Sequence, residues 1–434
     1  MDRLFSDKFF YHIYPLGMCG CSRRNDFCCP PGNGFDRLIG ELDRIKSLGV
    51  NAVLIGPVFE SSSHGYDTLD YFFVDRRLGN NESFKRFCDA CHERGLSVLL
   101  DAVFNHTGRD FFAFKDLIQN GRESKYRDWY CNINFDGRSC FGDNFDYCGW
   151  AGCMDLVKLN GENPEVQEYL ISATKHWIDT FGIDGLRLDA ADVLSPKFMD
   201  RLSCEIKKYR NDFWLFGEVV HGDYNDWAKK GRLDSVTNYQ IYKSMWSALN
   251  TKNFFELSYN LNREFGSDGM YRNIQLFNFV DNHDVNRIAS TLNDESLVHL
   301  IYALMFCIPG IPSVYYGSEW GIKGQRGDYD DFQLRPALPP FVESLERFAW
   351  PDLNSDALVE TIRKFSKIRA NSIALQRGDY KELFVSNMQF AFSRTFKNDT
   401  VRIFVNLDSS PAKIKIQNNH EIKVPAKWLV IDND

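Results

Sequence analysis

Up to about residue 375 the chain repeats one pattern: a short apolar run, a polar loop, then apolar residues at helical spacing. Phe9-Phe10-Tyr11-His12-Ile13-Tyr14-Pro15 mixes aromatic and β-branched residues and predicts a strand. Residues 35–48 predict a helix, with Leu38, Ile39, Leu42, Ile45 and Leu48 on one face and Gly49 as its stop. Residues 51–56 and 96–101 predict two more strands. Asn163 suits a helix N-cap and Pro164 the first helical position; Val166, Tyr169, Leu170, Ala173 and Trp177 keep the period until Gly182. Further strands are predicted at 185–189, 213–218, 235–236, 274–280 and 311–316.

Eight short apolar strands separated by helices imply a parallel sheet covered on both faces, and eight closes a (β/α)8 TIM barrel. The open doubly wound alternative expects a Gly-rich phosphate turn after the first strand, and Pro30-Pro31-Gly32-Asn33-Gly34 is not one. The stretch of about 60 residues between Asp101 and Asn163 is too long for an ordinary α/β loop. It predicts a subdomain, residues 107–160, inserted after the third strand. Beyond Leu375 short alternating runs predict an antiparallel β-sandwich domain over 376–434. The barrel then comprises 1–106 and 161–375.

The 434 residues are 44% hydrophobic and 15% aromatic, which excludes disorder as the main state. A formal net charge of −8, with no basic run, argues against nucleic acid and anionic membrane as partners. No apolar stretch reaches the roughly 18 residues of a transmembrane helix. Residues 1–8 lack the basic and apolar regions of a signal peptide, so a cytoplasmic location is expected. Of the 12 cysteines, Cys19, Cys21, Cys28 and Cys29 crowd one loop and Cys131, Cys140, Cys148 and Cys153 a second. Cys88 and Cys91 form a C-x-x-C in a predicted helix, and Cys204 and Cys307 stand alone. They read foremost as reduced thiols; a metal site in the first cluster, which lacks the usual C-x-x-C spacing, and disulfides are the alternatives.

Active sites of such barrels lie at the C-terminal ends of the strands. Asp101 ends the third strand, with Asn105 and His106 beyond it. Arg187 and Asp189 are two apart in one strand and so face the same space. Glu218 ends the next, and Asp281-Asn282-His283-Asp284 ends another. Burying charges is costly unless they are paired, so this convergence predicts a site. Several carboxylates and an arginine, without a Ser–His–Asp or Cys–His arrangement, suit glycoside hydrolysis: one carboxylate attacks, a second donates the proton, and others stabilise a cation-like transition state. Arg187 would hold Asp189 ionised. A zinc hydrolase is the rival, but no H-x-H follows the first strand, where only His12 occurs.

These segments resemble the four signature regions of the α-amylase family of glycoside hydrolases, in order and spacing: Asp101-Ala102-Val103-Phe104-Asn105-His106, Gly185-Leu186-Arg187-Leu188-Asp189, Phe216-Gly217-Glu218-Val219 and Phe279 to Asp284. The resemblance runs from residue 9 to about 375. It implies a retaining mechanism with Asp189 as nucleophile, Glu218 as general acid/base and Asp284 as transition-state stabiliser. It implies that Arg187, His106 and His283 line the sugar subsite, that Tyr66, beside Asp67, is its aromatic platform, and that Asp101 organises the network. Residues 154–160 resemble a segment of the cyclomaltodextrinase, neopullulanase and maltogenic amylase branch. Two departures are expected: no N-terminal β-sandwich, because the first barrel strand begins near residue 9, and Val220 where that branch carries Trp. They leave cyclodextrin preference and that branch's dimer without support.

Asp330, Asp331 and Arg335 are assigned to the substrate end of the cleft, with a surface salt-bridge loop as the alternative. The family also suggests calcium at Asn105, helped by Asp146 or Asp155, although this branch often does without; no cofactor is required and Ca2+ is optional. The resulting expectation is a retaining hydrolase of α-1,4-glucosidic bonds in maltodextrins or starch fragments. Its partner is a maltooligosaccharide, and the oligomeric state stays open. A 4-α-glucanotransferase and a catalytically silent carbohydrate-binding relative are the alternatives.

Overall fold

The computed structural model describes residues 5–228, 232–327, 331–338, 355–417 and 420–433. Eight parallel strands carry the architecture: β1 (Phe10–Ile13), β2 (Ala52–Ile55), β3 (Ser97–Ala102), β4 (Gly185–Leu188), β5 (Trp214–Gly217), β6 (Ser235–Val236), β7 (Phe277–Phe279) and β8 (Ile311–Tyr315). Their order is β7-β8-β1-β2-β3-β4-β5-β6. The barrel closes where β6 meets β7, through a parallel bridge from Thr237 to Phe277 and a 2.9 Å bond from Asn238 N–H to Phe277 O. Nearly every barrel-strand residue is buried. That burial on both faces explains why the strands read as apolar runs rather than alternating ones.

The helices follow their punctuation. Pro164–Phe181 starts after Asn163, whose side chain accepts from Glu165 N–H, and stops at left-handed Gly182. Gly34–Ser47 lies one residue from the expected span. The strand expected over 274–280 shrinks to β7, because the flanking residues turn into the loops that carry the site. Val298–Cys307 is buried on all sides, so it carries no amphipathic period to detect.

After β3 the chain leaves the barrel and forms a small antiparallel sheet from His106–Gly108, Gly149–Trp150 and Cys153–Lys158. Its core is aromatic, with Phe114 edge-on to Tyr130, Phe145 and Tyr147. The C-terminal region is a four-stranded antiparallel sheet (Asp379–Val385, Gln389–Phe396, Asp399–Asn406, Trp428–Asn433) and a two-stranded ribbon (Ala412–Lys415, Glu421–Val424). Ala391, Phe404, Ile414 and Val424 pack between the two layers. On the other face Phe390 stacks on Phe254, and Arg394 Nη1 donates to Cys307 O at 3.0 Å, tying the sheet to the barrel. All twelve cysteines are free thiols. No described helix is long and apolar enough to cross a membrane.

Candidate active site

At the C-terminal mouth of the barrel one arginine organises the carboxylates. β3 and β4 run in register, with Asp101 opposite Arg187. Arg187 Nη1 lies 2.7 Å from both Asp101 oxygens and 3.1 Å from Asp189 Oδ1. Its Nη2 lies 2.8 Å from Glu218 Oε2. All four side chains are buried. Burial pushes the Asp189 carboxyl well above its usual range; Arg187 opposes this, while Glu218, Asp101 and Asp284 reinforce it.

Ala190 sits directly beyond Asp189 with φ +46°, a left-handed conformation that costs a non-glycine residue energy. The turn aims Ala190 N–H at Glu218 Oε2, 3.1 Å away. Glu218 Oε1 accepts from Tyr239 Oη at 3.2 Å, and Asn282 Nδ2 donates to that same hydroxyl at 3.2 Å. Glu218 is thereby held at both oxygens.

The β7 loop supplies a second cluster. Asn282 Oδ1 accepts from Asp284 N–H at 2.8 Å and Val285 N–H at 3.1 Å, which turns the loop back into the mouth. Asp284 lies 2.9 Å from His283 Nε2 and 2.9 Å from Arg335 Nη2. Burial alone would raise its carboxyl, but His283, Arg335 and Arg187 together hold it well below the usual carboxylate range. Tyr66 stacks on His283 at 5.5 Å, donates to Asp101 Oδ2 at 3.0 Å and places its hydroxyl 2.5 Å from His283 Nε2.

Two buried ring nitrogens, His106 Nε2 and His283 Nδ1, have no hydrogen-bond partner among the described residues, while Asp67 accepts from Ser63 Oγ at 2.8 Å and faces His64 Nδ1 at 3.8 Å. Asn105 Nδ2 donates to His106 Nδ1 at 3.1 Å, leaving Nε2 to carry the proton. Burial, with His64 nearby, pushes the His106 pKa down to about 3, so the ring is neutral. Unpaired buried donors and acceptors at one mouth are what hydroxyl groups of a polar ligand would satisfy.

Asp281 corrects the expected convergence. Both its oxygens accept from Ser318 Oγ, and Oδ2 also takes Ile288 N–H at 2.8 Å. Its side chain thus anchors the β7 and β8 loops to each other instead of joining the other carboxylates. Arg335 is bonded to Asp284 and to Asp331, at 3.1 Å, so it belongs to the cleft rather than to a surface salt-bridge loop. Asp330 lies outside the described residues. Asp146 and Asp155 are exposed, and the described residues hold no group of three or more His, Cys, Asp or Glu suited to a metal ion.

Sequence reasoning missed three contributors. Tyr239 follows a strand of two residues, too short for a pattern to reveal. Trp150 sits at the tip of a hairpin turned by left-handed Ala151 and Gly152, and its ring lies 5.6 Å from His106. His12, noted only against the metal alternative, is T-shaped to His283 at 5.1 Å. An aromatic residue beside a polar strand end is the one signal that points to Tyr239.

The model of the alpha-amylase catalytic domain matches residues 33–347. A cyclomaltodextrinase from Bacillus sp. is 31% identical over 425 residues, 93% of this chain and 73% of its own length. An intracellular maltogenic amylase from Bacillus subtilis (strain 168) is 33% identical over 306 residues, 70% of this chain and 50% of its own. The ligand-free cyclic alpha-maltosyl-(1→6)-maltose hydrolase of Arthrobacter globiformis superposes with a TM-score of 0.84 at 25% identity, covering 99% of both chains.

Proposed function

The chain belongs to the α-amylase family, and from that premise we propose that it is a retaining hydrolase of α-1,4-glucosidic bonds in maltodextrins or starch fragments. Glu218 protonates the glycosidic oxygen, and Asp189 attacks the anomeric carbon to give a glycosyl-enzyme. Glu218, now ionised, takes a proton from a water whose oxygen attacks the anomeric carbon; the bond to Asp189 breaks, which frees the sugar, leaves Asp189 a carboxylate and returns Glu218 to its acid form. The observation that carries this reading is the shared guanidinium: Arg187 reaches both Asp189 and Glu218. It favours the ionised, attacking form of Asp189 against the effect of burial.

Asp101, Asp189, Glu218 and Asp284 outnumber the facing Arg187 and Arg335, so the mouth favours developing positive charge on the sugar ring. His106 Nε2 and Asp284, with His283, bind sugar hydroxyls, and Tyr66 and Trp150 offer ring faces to the sugar. No step needs a metal. The substrate class follows the relatives named for maltodextrin-related substrates. A cytoplasmic location agrees with the intracellular maltogenic amylase among them.

The test is the product profile from reducing-end-labelled maltoheptaose, run beside Asp189→Asn. Shorter labelled chains from the wild type alone support hydrolysis. Labelled chains longer than the substrate would make the enzyme a glucanotransferase. Binding without turnover would make it a silent carbohydrate-binding relative.

A further inference from the structure

A cavity of about 440 Å3 opens beside the catalytic mouth: Arg335, which holds Asp284, and Tyr14, stacked 6.1 Å from His283, both line it. That volume suits a small ligand more than a long open groove would. Its outer walls are two loops far apart in sequence, one within residues 16–23 and the other within 331–337. At the base the loops are fused: Leu338 N–H donates to Met18 O at 3.3 Å. Gly17 packs so closely that a Cβ there would come within 2.4 Å of Arg335 O. At the rim the Arg23 guanidinium carbon lies 3.4 Å from the centroid of the Phe332 ring. Arg23 is exposed and Phe332 is 41% exposed, so neither serves the core.

The lining alternates flat apolar surface with polar groups in fixed orientation. Tyr14 and Leu16 give the first; Ser63, His64 and Arg335 give the second. A sugar ring, apolar on its faces and polar at its edge, matches that lining. An exposed cation–π pair contributes little to stability, yet this one joins the two walls across the rim. We propose that the cavity holds the end of an α-glucan chain and that Arg23 against Phe332 closes it. A fixed small number of glucosyl units then fits between this wall and the catalytic carboxylates, and that number sets the length of the main product. The inference rests on the hydrolase reading above.

The test compares initial-rate products from maltoheptaose, sized by mass spectrometry, for wild type, Arg23→Ala, Phe332→Ala and Arg23→Lys, with Asp189→Asn as blank. One short product should dominate for the wild type. Both alanine variants should shift the most abundant product by at least one glucosyl unit and broaden the distribution, and Arg23→Lys should keep the wild-type pattern. Both positions are exposed, so thermal melts close to wild type are expected and exclude misfolding. Identical length distributions in wild type and both alanine variants would overturn the closure and leave the hydrolase reading standing. So would a wild type that releases all lengths equally. A wild type that cleaves no maltooligosaccharide would instead overturn the hydrolase reading, and the closure with it.

Discussion

Arg187 and Asp101 face each other across neighbouring barrel strands, with one guanidinium nitrogen 2.7 Å from both carboxylate oxygens and neither side chain open to solvent. Asp101 is thus the fixed counter-charge that holds Arg187 while its other contacts reach Asp189 and Glu218. Removing Asp101 deletes a buried charge-assisted contact that contributes about 1.5–3 kcal/mol, while Asp189 and Glu218 still pair the guanidinium. Asp101→Ala is therefore expected to lower unfolding free energy by roughly that amount in urea titration and to suppress turnover. A loss below about 1 kcal/mol would show that Arg187 does not depend on this partner.

The Asp284 carboxyl is kept low by its cationic neighbours, and removing one of them raises it. In Arg335→Ala the Asp284 carboxylate takes up its proton at higher pH, but Asp189, raised by burial, must also be ionised and sets the acid limb of kcat/KM. The acid limb should therefore stay in place while kcat/KM falls roughly tenfold for the lost charged contact to Asp284. An acid limb that moves up in the variant would mean that Asp284 sets it.

Tyr239→Phe removes the hydroxyl that donates to Glu218 Oε1 and accepts from Asn282. A hydrogen bond to a charged group contributes about 1.5–3 kcal/mol, so kcat should fall roughly tenfold or more with little change in KM. A fall in substrate affinity alone would assign Tyr239 to binding rather than to positioning.

Glu264 is a buried carboxyl away from the mouth; it accepts from Asn238 Nδ2 at 2.9 Å, and its other oxygen has no partner among the described residues. Burial pushes its pKa up to about 8, against the hydrogen bond from Asn238 and the charge of Arg263. Between about 4.5 and 8 the folded state keeps a proton that the unfolded chain has released. Stability should therefore be highest below that window and decline as pH rises through it, by on the order of a few kcal/mol. Glu264→Gln should flatten this decline in melts taken at pH 5 and pH 9. A wild-type slope in the variant would exclude Glu264 as its source.

Gly17 admits no side chain without moving Arg335 or Tyr316, whose hydroxyl lies 2.8 Å from the ideal Cβ position. Overpacking of this kind costs about 1–3 kcal/mol. Gly17→Ala should lower the melting temperature, and it should also reduce turnover through the Arg335–Asp284 contact. Full activity in the variant would show that the loop yields without disturbing Arg335.

The sequence by itself determined the barrel strands, because residues buried on both faces must be apolar whatever they touch. It determined the juxtaposition of Arg187 and Asp189, because alternate residues of a strand share a face. It also determined the limits of the helix 164–181, because Asn163 and Gly182 act locally. Tertiary structure decided what no local period encodes. Asp281 turns to Ser318 and Ile288, Tyr239 reaches Glu218, Trp150 meets His106, and Arg23 covers Phe332. Ile288 and Trp150 fold back onto the loop that carries their partner, while Asp281–Ser318, Tyr239–Glu218 and Arg23–Phe332 join loops from different strand ends. Their side chains find partners only once the closed barrel has gathered those ends at one mouth.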